Sequence, residues 1–218
     1  MKKEILFNLC LLLGAFALCI VVTSCGSGST EDTSLTTTTI TTDEEDAGPE
    51  LWQYDHSATK VIWTGYKLES KAGVEGSFDS IVVEGFSPGP DASKCITGVR
   101  FELYTASTET ADTSRNRKII TRFFDEMING AKITGEIKSI DAAGGVGVVS
   151  VKMNDVEKDL DVSYEMDKDN VIKMIGTIDI PSWNGQAALD SLNKVCYEKH
   201  EGITWQDAEV KILTKLKK

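Results

Sequence analysis

From residue 51 onward, apolar and polar residues alternate one for one in stretch after stretch, and few folds accept that period. Side chains of an extended strand point to opposite faces in turn, so each such stretch has one apolar and one wet face. Val99, Phe101 and Leu103 oppose Arg100, Glu102 and Tyr104, and Ile133, Gly135 and Ile137 oppose Lys132, Thr134, Glu136 and Lys138. Leu160, Val162, Tyr164 and Met166 oppose Asp161, Ser163 and Glu165. Ile172, Met174, Gly176 and Ile178 oppose Lys173, Ile175, Thr177 and Asp179. Further strands are expected at 60–68, 75–85, 146–153 and 205–214, with a short one at 51–55. Between them, Ala142-Ala143-Gly144-Gly145, Asn154-Asp155 and Asp167-Lys168-Asp169-Asn170 have the residues that hairpin turns need. Two segments change period. In 114–127, Ile119, Ile120, Phe123, Phe124 and Met127 recur at helical spacing behind a Ser114 cap. In 185–199, Leu189, Leu192, Val195 and Cys196 do the same. Eight or nine antiparallel strands with few helices predict a mainly β domain, either a closed barrel or a sandwich.

The chain ahead of this domain reads differently. Lys2 and Lys3 precede an apolar run from Ile5 to Val22, the layout of a secretory signal. The run is also near the length of a membrane-spanning helix, which needs about 20 residues. Its exit separates the two: Val22-Thr23-Ser24-Cys25 puts small residues before a cysteine, as bacterial lipoprotein processing requires. The expectation is a signal peptide over 1–24 and acylation of Cys25, tying the protein to a bilayer without spanning it. Gly26 lacks the aspartate of an inner-membrane retention signal, which favours the outer membrane. Residues 26–50 hold no aromatic residue and only two large aliphatics, Leu35 and Ile40. Such a Thr-rich, acidic stretch reads as a disordered tether with a reach of about 25–30 Å, leaving 51–218 as one folded domain.

The charge of −11 excludes nucleic acid and anionic lipid surfaces as partners of an electrostatic kind. Any membrane link would be the covalent acyl anchor. After processing, Cys95 and Cys196 remain, an even number in an oxidising compartment, and a disulfide between them is expected.

Several segments carry a resemblance. Trp52-Gln53-Tyr54-Asp55-His56-Ser57, then Val61-Ile62-Trp63, then Gly76-Ser77-Phe78, resemble the opening of the YceI-like family. Ser107-Thr108-Glu109-Thr110, followed by Arg115-Asn116, Lys118-Ile119 and Phe123-Phe124, is similar to its central stretch, and Met153–Lys158 to a later hairpin. The likeness runs over about 51–215. It implies an eight-stranded antiparallel, lipocalin-like barrel, with one or two short helices, holding an isoprenoid or other long-chain lipid. Two positions depart: Asn116 stands where many members have Asp, and Asp155 where a hairpin Gly is usual. The first bears against carrying over an Arg–Asp pair, and the second asks the turn to change type.

The pattern supplies an inward set for such a barrel: Trp63, Phe101, Leu103, Ile133, Ile137, Val162, Tyr164, Met174 and Ile178. All are apolar or amphipathic, so a lumen built from them would take a hydrocarbon chain and no charged metabolite. A barrel of this size can equally be filled by its own side chains, as a structural or interaction module of the envelope would be. The one basic cluster, Arg115, Arg117, Lys118 and Arg122, is either a solvated helix face or a rim meeting a lipid headgroup. In the rim reading Arg115 and Arg117 greet the headgroup, with Phe123 and Phe124 as a lid.

Catalytic and metal motifs carry less. Gly85-Phe86-Ser87-Pro88-Gly89 matches the pattern of a nucleophile elbow, but Pro88 has no N–H to donate to an oxyanion. Cys196 and His200 are spaced as helical metal ligands, yet two ligands do not make a site. Asp55-His56 reads as a strand end and Asp167-Asn170 as a turn. The expectation is therefore a non-enzymatic envelope lipoprotein with no catalytic or metal residues and no cofactor beyond a bound isoprenoid or fatty-acid-like lipid.

Overall fold

The structure, a computed structural model, describes residues 48–218. The expected signal, Cys25 and nearly all of the tether lie outside the described residues. The folded part runs β1 (Gln53–Lys67), β2 (Ala72–Phe78), β3 (Ile81–Glu84), α1 (Ala92–Ile96), β4 (Arg100–Tyr104) and β5 (Thr108–Glu109). It continues with α2 (Thr113–Arg122), β6 (Lys132–Asp141), β7 (Val146–Met153), β8 (Val156–Met166), β9 (Val171–Asp179), α3 (Gln186–His200) and β10 (Thr204–Lys217). Three 3₁₀ turns, Thr105–Ser107, Phe124–Glu126 and Ile180–Trp183, punctuate the connections.

All the strands join one curled antiparallel sheet in the order β3-β4-β6-β7-β8-β9-β10-β1-β2-β5. The lipocalin-like class expected from the sequence agrees with this, but the count is ten strands and three helices. The physical reason lies at Asp79 and Ser80. The strand expected over 75–85 breaks there because its amides leave the ladder: Asp79 N donates to Ser107 O (3.0 Å) and Ser80 N to Ser107 Oγ (2.9 Å). β2 then pairs with β1, and β3 pairs with β4. Two consecutive strands thus sit near opposite ends of the sheet order and are joined by two residues, which obliges the sheet to curl round on itself. The other extra strand, β5, is only two residues long. Conversely, 51–55 and 60–68 merge into β1, whose pairing with β10 slips between Asp55 and Lys60.

α2 begins one residue earlier than its expected cap, with Asp112 in the capping role: its Oδ1 accepts from Arg115 N at 3.0 Å. α1 was not expected. It is held by Asp91, whose Oδ1 accepts from Ser93 N (3.0 Å) and Lys94 N (3.3 Å). The β7–β8 hairpin turns through Asn154 and Asp155 at φ +51° and +59°, the pair of positive angles of a type I′ turn. Asp155 therefore replaces glycine in a conformation that Asp tolerates.

β1 and β10 define the two ends of the domain. At one, Gln53 pairs with Lys217, and at the other Lys67 pairs with Thr204. The first end is a packed floor: Ile172 and Leu216 are fully buried there, beside Trp52, whose N donates to Gly89 O at 2.8 Å. That bond ties the loop leading into α1 to the floor. α3, by contrast, runs directly into Thr204 at the other end. Cys95 on α1 and Cys196 on α3 therefore sit near opposite ends of a 14-residue strand, which spans about 40 Å. A disulfide needs Cα atoms within about 7 Å. The expected Cys95–Cys196 bond does not form, and both thiols are free.

Candidate functional site

Above the floor the barrel is hollow. A cavity of ≈ 290 Å³ opens toward the Lys67/Thr204 end, between the inward faces of the strands and the helices α2 and α3. That is near the lower end of the range for small-molecule sites, about 300–1,000 Å³. Of the inward set read from alternation, Trp63, Phe101, Leu103, Ile133, Ile137, Val162, Met174 and Ile178 line it. Tyr164 does not. It is buried toward the floor, its N donating to Gly145 O at 2.8 Å, and burial, then Asp91, pushes its phenol pKa up. Val61, Val149, Val151, Leu160 and Ile212 complete much of the wall.

Two glycines make room for the large rings. A Cβ on Gly76 would stand 2.7 Å from Trp63 Cε2 and 2.8 Å from Thr110 Cγ2, so the indole lies flat across a residue without a side chain. Trp63 Nε1 is buried without a hydrogen-bond partner among the described residues. Phe101 uses Gly135 in the same way: a Cβ there would stand 2.8 Å from its Cε1.

The helices close the open end unevenly. On α2, Arg115, Lys118 and Ile119 face the cavity, as three- and four-residue spacing requires. Arg117 falls on the opposite face and is exposed. Phe123 and Phe124 line the cavity as an edge-to-face pair with centroids 5.1 Å apart, and Phe124 packs on Phe78 at 5.9 Å. Phe124 is buried, so it belongs to the wall more than to a lid.

The mouth also contains residues that the strand pattern does not reveal: Lys67 at the end of β1, Lys199 and His200 at the end of α3, and Asp112 and Asp207. Leu189, Leu192, Cys196 and Lys199 all line the cavity, and their helical spacing was the available signal. Burial, then Lys67 and Lys118, lowers the pKa of His200, whose Nδ1 lies 2.8 Å from Thr204 Oγ1. The Arg115 amide, foremost, lowers the pKa of Asp112. Asp207 is bound by Lys71 at 2.7 Å.

The remaining motifs resolve into local structure. Asp55 is held at a pKa of about 2 by Lys217 and Ser57, while His56 packs edge-on against Tyr54 at 4.5 Å. Asp55 and His56 thus form no base–carboxylate pair. Ser87 is exposed on the loop between β3 and α1. Asp167 Oδ1 accepts from Asp169 N (2.8 Å) and Val171 N (2.9 Å), closing a turn. Among the described residues no group of three or more potential metal ligands converges.

No family model matches the sequence, and no curated protein does. Solved structures do. Burkholderia cenocepacia BcnA is 16% identical, over 76% of this chain and 100% of that one, with a TM-score of 0.53. A polyisoprenoid binding domain from Saccharophagus degradans, implicated in plant cell wall breakdown, is 12% identical over 77% and 99%, with a TM-score of 0.56. The Campylobacter jejuni YceI protein is 16% identical over 67% and 86%, with a TM-score of 0.47. At such identities the likeness is one of fold, and this chain shares the fold of BcnA and of the polyisoprenoid binding domain.

Proposed function

We propose that the protein is a non-enzymatic binder of an apolar long-chain lipid, of isoprenoid type, held inside the barrel. The observation that carries this reading is the cavity itself. Its walls are almost wholly aliphatic and aromatic, they enclose ≈ 290 Å³, and charged side chains line them at the Lys67/Thr204 end. Burying a methylene of a guest chain there gains about 0.8 kcal/mol, so even a few isoprene units would bind usefully. The structural neighbour described as a polyisoprenoid binding domain supports the same ligand class. Acylation at Cys25 and a tether over 26–50 would hold this domain within a few nanometres of a bilayer, at the outer membrane of a bacterial envelope.

The test is solvent extraction of the full chain purified from its native membranes, with mass spectrometry of the extract. A long-chain isoprenoid or similar hydrocarbon recovered in near-equimolar amount is expected. Repeated preparations free of any such lipid, beyond what a control membrane protein retains, would overturn the proposal.

A further inference from the structure

The barrel wall has a gap. β1 pairs with β2 only from Ile62 to Lys67, and β3 pairs with β4 instead. Toward the floor from Ile62, one edge of β1 and one edge of β3 are therefore left without a strand between them among the described residues. Residues 56–59 of β1 bow out of register there and pair with neither β2 nor β10. The gap is a window. It is closed above by the Ile62/Ser77 pair, and below by Trp52 N donating to Gly89 O at 2.8 Å and by Tyr54 stacked on Phe86 at 5.6 Å.

A second cavity, of ≈ 450 Å³, occupies this window. Tyr54, Thr59, Phe78, Ile81 and Val83 line both it and the lumen, so side chains, with no backbone ladder, separate the two spaces. Its outer lining is polar: His56, Ser57, Lys60, Ser77 and Asp79. Hydroxyls carry that polarity inward. Tyr54 Oη bonds Thr59 Oγ1, which lies 2.7 Å from Thr214 Oγ1, and the buried Thr214 lines the lumen. Three hydroxyl hydrogens share two bonds, so one hydrogen and several lone pairs have no partner among the described residues.

From this arrangement we infer that the window is a passage for water, by which the lower lumen drains as a lipid chain advances from the mouth and refills as it leaves. The inference rests on the lipid-binding reading above and adds a second opening to it. A lumen of ≈ 290 Å³ has room for roughly ten waters at liquid density. A chain that fills the mouth blocks their way out past it, and the aliphatic walls below offer stranded water no hydrogen bonds. The three hydroxyls do offer them, and they lead outward to the polar window. The same polarity makes the window a poor route for the lipid, since a hydrocarbon chain would desolvate His56, Lys60 and Asp79 without replacing their hydrogen bonds.

The test follows the full chain in phosphatidylcholine nanodiscs as it takes up and releases a C15 isoprenoid alcohol. Stopped-flow fluorescence of Trp63 and Trp205, which line the lumen, reports both rates. Lys60→Phe and Asp79→Phe, made separately, each place a ring across the window from an exposed position outside the lumen. A passage that does not touch the bound chain alters both rates and leaves their ratio alone. Each variant is expected to slow uptake and release alike, by about fivefold, with Kd within about twofold of wild type. Lys199→Phe, which narrows the mouth, should also slow both. Wild-type rates in both window variants overturn the inference. So does a weaker Kd at an unchanged uptake rate, which would make the window part of the bound ligand's own contacts. Slow exchange in the window variants with normal exchange in Lys199→Phe sends the lipid itself through the wall and overturns it too. If wild type takes up no alcohol, the lipid-binding reading falls and this one with it.

Discussion

His200 sits where the apolar cavity gives way to its charged mouth, so its protonation is set by both. Burial disfavours the imidazolium and Lys67 and Lys118 repel it, so its pKa in the fold lies below the ordinary histidine value of 6.5. Above 6.5 neither the folded nor the unfolded chain protonates it, and its contribution to stability is fully present. As pH falls below 6.5 the unfolded chain takes up a proton that the folded one resists, and stability is lost down through the folded pKa. Denaturant titrations between pH 7.5 and 5.5 should show wild type losing stability, by under about 1 kcal/mol per pH unit, and His200→Gln losing measurably less. Identical slopes for the two proteins would refute this account of the mouth. The same residue shows where sequence reading reached its limit. The cavity walls were legible because strand alternation sorts inward from outward side chains, and eight of the nine proposed residues line the cavity. The mouth was legible only in part: Arg115 and Lys118 belong to the basic cluster read as a rim, whereas Lys67 and Lys199 lie at the ends of β1 and α3, far apart in sequence, and reach the cavity only through the topology.

Among elements, the long strands and α2 and α3 were legible for the same reason of period. α1 has five residues, too few for any apolar repeat, and its existence depends on the Asp91 cap. The break between β2 and β3 was equally hidden, since Asp79 and Ser80 leave the ladder only because Ser107 is in reach. The β7–β8 hairpin makes a testable case of an element held by its turn. Asn154 Oδ1 accepts from Ile128 N at 2.7 Å, and its Nδ2 donates to Trp183 O and Asn184 O, both at 2.9 Å. One side chain thus ties the hairpin to the loop before β6 and to the turn before α3. Asn154→Ala removes all three bonds and leaves an alanine at positive φ, at an expected cost of about 2–4 kcal/mol. Asn154→Gly removes the bonds without the backbone penalty and should be the milder change by about 1 kcal/mol. Chemical denaturation of both variants measures the difference; if alanine proves no worse than glycine, the strained turn is not what this position supplies.

At the scale of the molecule, the barrel divides its interior between stability and vacancy. The floor, where Ile172, Leu216 and Trp52 pack, is filled, while the space above it is open, so a hollow and a solid barrel coexist along one axis. A filled interior would gain dispersion contacts on every wall, and a cavity forgoes them at a cost that grows with its volume. Filling it with protein atoms should therefore leave stability intact while removing the guest. Ala208 is the suitable position: it lines the cavity from β10, is only partly buried, and pairs across the sheet with Gly65 and Ile178. Ala208→Phe projects a ring into the void, next to Ile178 and away from the floor. Its folding free energy is expected to stay within about 1 kcal/mol of wild type, because overpacking costs more only where the core is already dense. Recovery of bound lipid from the variant should fall at least tenfold in the extraction assay, since ring and chain compete for the same few hundred cubic ångströms. Undiminished lipid in a stably folded Ala208→Phe protein would move the ligand out of the barrel and onto its surface.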